Sequence, residues 1–192
     1  MTMLNEFINF VEELFPSIKP YTKENVKQAI KQFQSSGKTQ KFCKAQPFPF
    51  LSQGDIVESL PFLRFTENGE EKRYVTKGML LSNTCDAEND KEILFAPLLP
   101  IKDLKVDELA VKNNMNYRLL YIPDADLTDY VVDLSLINSY SKRLITHGIS
   151  EGILKKTLSL NSYGYYLFLT KLTIHLLRPE NEEVREERIQ AS

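Results

Sequence analysis

Residues 82–86 read Ser-Asn-Thr-Cys-Asp, a polar cluster at the end of the apolar run "GMLL". A cysteine nucleophile would need its thiolate stabilised by a histidine, a cation or a helix N-terminus, and Asp86 beside Cys85 supplies charge of the wrong sign. Turn chemistry suits the cluster better. Asn and Asp bond their own backbone, Thr does so more weakly, and Cys85 is expected to tuck inward as a small apolar group. In a third reading the cluster is the lip of a binding site, where Ser82, Asn83, Thr84, Asp86 and Asn89 stand beside Arg73 and Lys72 of the neighbouring hairpin.

The other reactive side chains are scattered. Cys43, Cys85, His147 and His175 include no two residues spaced as zinc ligands, which come in pairs a few residues apart, so neither a metal nor a cofactor is expected. The acidic stretches "DAEND" (86–90) and "DADLTD" (124–129) lack the central Gly and closing Glu of a calcium loop and read as solvated turns. His147, before Gly148, reads as a helix-end residue, and His175 as a satisfied core or interface residue. "SKR" at 141–143 with Lys155 and Lys156 forms a modest basic patch, either a solvated face or a phosphate contact. In "TQKFCKAQPFPFLSQ" lysines alternate with aromatics, which suits stacking on single-stranded bases, although Phe48 and Phe50 are expected to plug a core edge.

Composition bounds the architecture that must position these groups. A chain of 192 residues, 42% hydrophobic, suffices for one compact core with an appended helical part. With 26% charged residues and a formal net charge of -2, there is no overall basic field, so any nucleic-acid contact must be local. Two cysteines make no disulfide framework, no apolar run is long enough to span a membrane, and "MTMLNEFINFVEELF" carries acids where a signal peptide carries basic charge. A cytoplasmic protein without membrane contact is therefore expected.

Along the chain, residues 1–38 read as a helical arm with apolar positions at helical spacing, broken at Pro16 and Pro20. Residues 39–53 read as an extended connector because of Pro47 and Pro49. Residues 54–178 form one core. "GDIVESLPFLRF" and "YVTKGMLLS" flank the hairpin signal Asn68-Gly69, "EILFAPLLPI" is an apolar strand ending at Pro97 and Pro100, and "YRLLYIPD" and "DYVVDLSLI" add two more. "IKDLKVDELAVKNN" predicts a short helix or excursion, "SYSKRLITHGIS" and "EGILKKTLSL" two short helical pieces, and 158–178 a long helix buried on two sides. Residues 179–192 form a charged tail. Five short strands with tight turns imply an α+β chain built on a small antiparallel barrel.

The order "GDIV", "NGEEKR", "GMLLSN" and "EILFAPLLPI" over residues 54–101 resembles the MazF/PemK growth-inhibitor proteins of prokaryotic toxin–antitoxin systems. The resemblance implies an SH3-like barrel, with the N-terminal helical hairpin and long C-terminal helix added to it. It also implies a homodimer, since members are often dimeric, and single-stranded RNA or a protein partner such as an antitoxin or defence subunit. Active members cleave RNA without a metal. The family's catalytic arginine precedes a proline at the start of the second strand; here Arg73 is the nearest basic residue, displaced by several positions, and Lys77 the alternative. The family's catalytic threonine follows a Pro-Ile, whereas this chain reads "PLLPIKD". "SNTCD", "FAPLLPI" and "HLLRP" are also similar to pieces of prophage-borne and defence-locus proteins. The leading expectation is a binding module in a conflict system, with an active endoribonuclease or a structural subunit as alternatives.

Overall fold

The computed structural model of the protein describes residues 41–177 together with residues 183, 184 and 187. The expected helical arm at 1–38 lies outside these residues, as does the charged tail apart from those three. The strands are β1 (Ile56–Phe65), β2 (Glu71–Leu80), β3 (Glu92–Pro100), β4 (Leu119–Leu120), β5 (Tyr130–Asp133), β6 (Asn138–Ser141) and β7 (Lys155–Leu158). Four α-helices accompany them among the described residues: α1 (Thr84–Asn89), α2 (Glu108–Lys112), α3 (Lys142–Ser150) and α4 (Ser162–Leu177). Every strand pairing is antiparallel. The order is β4-β5-β3-β2-β1-β7 with β6 on β3, so main-chain hydrogen bonding leaves an open sheet in a mixed α+β body. No helix among the described residues is long and apolar enough to cross a membrane.

The hairpin forms where Asn68-Gly69 predicts it. Thr66 N–H bonds Glu70 O, Gly69 N–H bonds Thr66 O, and Gly69 takes φ +78°, a region open to glycine at little cost. β1 bends at Ser59, which has φ 67°, and its register against β2 shifts between Val57 and Leu60. Past the bend, β1 leaves β7 and approaches β6. There Asn138 closes the gap with its side chain, accepting from Leu63 N–H at 2.7 Å and donating to Leu63 O at 3.1 Å. Tyr140 Oη donates to Pro61 O at 2.8 Å.

β3 is the hub. It pairs with β2 over Phe95–Pro97, with β6 over Glu92–Phe95, and with β5 over Leu98–Pro100. The strand runs through Pro97 rather than stopping there, because Pro97 falls between the β6 and β5 ladders, where a missing N–H is tolerated. Two other expectations are corrected. "NSYS" is a strand before α3, not part of a helix, and "KKTL" is β7 on the edge of β1, so the long helix starts at Ser162 rather than near Leu158. Asn161 Oδ1 caps that helix at Gly164 N–H, 3.0 Å away.

Alternation along the strands feeds two main cores, one on each face of the sheet, and Ile101, Val111, Leu119, Tyr121 and Val131 form a smaller third cluster. Ile56, Met79, Ala96 and Leu98 pack with Phe42, Leu160, Leu167 and Phe168 under α4. Val57, Leu80, Ile93 and Phe95 pack with Leu60, Phe62, Ala87, Tyr140 and Ile145 under α1 and α3. Helix α4 buries Gly164, Leu167, Phe168, Thr170 and Lys171, packs the partly buried Tyr163, Tyr165, Leu169 and Leu172 against the same core, and leaves Leu176 and Leu177 exposed at its end.

Candidate functional site: a cleft between the 47–55 loop and two helices

The cluster at 82–86 is the start of a helix, not a turn. Asn83 is the N-cap of α1, its Oδ1 accepting from Cys85 N–H at 3.0 Å, and Asn89 Nδ2 donates to Cys85 O at 2.8 Å. Ser82 Oγ accepts from Leu94 N–H at 2.9 Å, and Thr84 Oγ1 accepts from Gln53 N–H at 3.1 Å. Cys85 is exposed, whereas Cys43 is the cysteine that packs inward. Burial pushes the Cys43 thiol up, and Asp124 beside it adds to the effect, so it stays protonated. Asp86 and Asn89 are exposed on α1.

The predicted lip does not assemble around Arg73. Arg73 lies near the start of β2 and Ser82 just past its end, nine residues of extended chain and on the order of 30 Å apart at ~3.3 Å per residue. Arg73 is highly exposed and paired with Glu71. Lys77, the other candidate cation, is half-buried, pairs with Glu58 at 3.1 Å and lies 5.2 Å above the Tyr130 ring. Neither stands beside residues 82–89, because β2 runs without reversal between the two ends.

A different set of residues converges at the α1 end of the sheet. The 47–55 loop, α1 and α3 enclose an open cleft of about 640 Å³ lined by Pro49, Phe50, Leu51, Thr84, Ala87, Glu88, Lys142, Thr146, Ile149 and Lys156. Phe50 is 54% exposed, so it borders the cleft instead of plugging a core. Its ring stacks on Phe48 with centroids 5.2 Å apart, and Lys44 Nζ sits 4.4 Å over Phe48. The two halves of the basic patch seen in the sequence, Lys142 and Lys156, thus meet in one cleft with an aromatic.

The loop is fixed from below by a buried ion pair. Asp55 has no exposed surface; its Oδ2 accepts from Ser52 N–H at 2.8 Å and from Lys156 Nζ at 3.1 Å. Lys156 Nζ also donates to the carbonyls of Phe48 and Phe50, so one ammonium ties three points of the loop to β7. Asp55 Oδ1 is buried without a hydrogen-bond partner among the described residues. Gln53, also buried, donates from Nε2 to Leu81 O at 2.7 Å and accepts from Tyr165 Oη at 3.0 Å. Sequence reasoning missed Asp55 because "GDIV" reads as a strand start. The one signal was an acid directly before the apolar pair Ile56-Val57.

What this arrangement can do follows from its groups. Phe50 offers a ring face for a planar partner, and Lys142, with one main-chain acceptor on Glu88, retains two N–H donors. The cleft is lined by the hydroxyls of Thr84 and Thr146 and the ionisable side chains of Glu88, Lys142 and Lys156, with no histidine or cysteine among them. Among the described residues no group of three or more His, Cys, Asp or Glu side chains is placed to hold a metal ion. Outside the cleft, Lys171 is buried in α4 with Nζ donating to Asn114 O at 2.6 Å, and burial pushes its pKa down to about 8. In comparisons with known proteins, no family model matches the chain and no curated protein matches it either.

Proposed function

We propose that the protein is a single-stranded RNA-binding module with a MazF/PemK-like small barrel, working in a prokaryotic or phage conflict setting such as a toxin–antitoxin or defence system. The observation that carries the RNA reading is the half-exposed Phe50 ring in one cleft with Lys142 and Lys156, braced by the Phe48 stack. Aromatic platforms with nearby cations bind unpaired bases, each stack contributing ~1–3 kcal/mol. The barrel reading is supported by the bend at Ser59 and the Asn138 bridge, which draw β1 and β6 together beyond the last ladder bond.

The endoribonuclease alternative is less well supported. Its cation would be Arg73 or Lys77, and both are paired with glutamates away from residues 82–86. A protein partner is the other alternative, since Leu51, Ala87 and Ile149 give the cleft an apolar floor.

Fluorescence anisotropy with a labelled unstructured RNA octamer tests the reading. Phe50→Ala is expected to weaken binding roughly tenfold, and Lys142→Ala to reduce the slope of log K against log salt by about 0.7. Binding that is indifferent to both substitutions would sink the RNA reading. Growth arrest on expression that Arg73→Ala abolishes would favour the nuclease.

A further inference from the structure

We infer that the cleft selects guanine among unpaired bases, with Glu88 as the specificity-determining residue; this rests on the RNA reading above. Lys142 on α3 donates to the main-chain oxygen of Glu88 on α1, so these two oppositely charged residues stand side by side in the lining of the cleft. The Glu88 carboxylate takes no hydrogen bond among the described residues and is exposed, so its two oxygens are open acceptors. Thr146 lines the same cleft, and its hydroxyl donates to Lys142 O at 3.1 Å. The donors on offer come from Lys142, because Lys156 is already bonded to Asp55 and two carbonyls.

A carboxylate accepts best from two adjacent donors. Of the four bases, guanine alone presents two neighbouring donors, N1–H and the N2 amino group, followed by an acceptor, O6. Adenine and cytosine each place one amino donor beside an acceptor, and uracil flanks its single N–H with two acceptors, which a carboxylate repels. A guanine stacked on Phe50 therefore has partners for its whole Watson–Crick edge: Glu88 for N1–H and N2–H, Lys142 for O6. The cleft volume of about 640 Å³ lies within the ~300–1,000 Å³ typical of small-ligand sites, room for one splayed nucleotide with its flanking phosphate.

The test uses the full chain and labelled oligouridine octamers carrying a single central G, A, C or U, read by anisotropy at fixed salt. The G-containing octamer is expected to bind roughly tenfold tighter than the other three. Glu88→Ala should bring the four affinities to within about twofold of one another while the all-U affinity holds or tightens, an outcome that a damaged fold would not give. Phe50→Ala should weaken all four together. If Phe50→Ala weakens all four but G has no advantage, the guanine inference is overturned and the RNA reading stands. If no octamer shows Phe50-dependent binding, the RNA reading fails and the inference falls with it.

Discussion

Lys156 illustrates how one side chain can serve both fold and site. Its ammonium faces a fully buried Asp55 carboxylate whose second oxygen has no partner among the described residues, so that the pair stands close to the limit of what the interior can satisfy. Removing the cation while leaving the anion exposes the asymmetry of buried pairs. Lys156→Met is expected to destabilise the protein by about 3–5 kcal/mol, and adding Asp55→Asn should recover part of that loss. Chemical denaturation of the two variants checks the prediction, and equal losses in single and double mutant would contradict it. The same substitution should blunt RNA affinity, because the carbonyl of Phe50 loses its tether. None of this was visible in the sequence. Asp55 and Lys156 stand 101 positions apart, and no local pattern links them. Lys142 and Lys156 could be seen as basic, whereas their meeting with Phe50 depends on how three elements fold together.

Among the elements, the β1–β2 hairpin and β3 were legible because period-two burial and an Asn-Gly turn are written locally. β6 and β7 were not. Each is four residues long, and most of their side chains are polar or only partly buried, since apolar contacts are supplied by the strands they pair with. Lys156 looks like a surface position until its partners across the fold are known. The short α1 was read as a turn for a related reason: Asn83 signals equally well a turn or a cap. Asn138 makes a sharper prediction at this scale. Its side chain does for Leu63 what a neighbouring strand would do, so Asn138→Ala should speed exchange of the Leu63 amide by about tenfold or more, the equivalent of ~1–2 kcal/mol for a partly exposed bond pair. Hydrogen exchange read residue by residue tests this, and unchanged protection at Leu63 would show that the bridge is idle.

Taken as a whole, the described body has two main cores on the two faces of the sheet, to both of which β3 contributes, and a smaller third cluster of Ile101, Val111, Leu119, Tyr121 and Val131. Three ladders meet on that strand, so opening either face disturbs the other. The body is therefore expected to unfold in one cooperative transition, with the slowest-exchanging amides in the centre of β3 and the fastest at the hairpin tip near Gly69. Thermal melts followed by far-UV and near-UV circular dichroism should coincide; separate midpoints would mean that the α4 face and the α1–α3 face come apart independently. The charge balance agrees with a local site, because a net charge of -2 supplies no long-range pull on a polyanion and leaves recognition to the cleft.

The pairing of β1 with β7 carries a consequence for how the protein is made. Ile56 lies opposite Leu158, about a hundred residues later, and Cys43 lies opposite Leu160. At ~5–20 residues per second, a ribosome needs on the order of 5–20 seconds to deliver the second partner after the first has emerged. During that interval the nascent chain holds Phe42, Ile56 and Val57 without the strand and helix that will cover them. These apolar side chains are thus expected to stay uncovered until β7 and α4 are synthesised, and slow codons before residue 155 would lengthen that exposure.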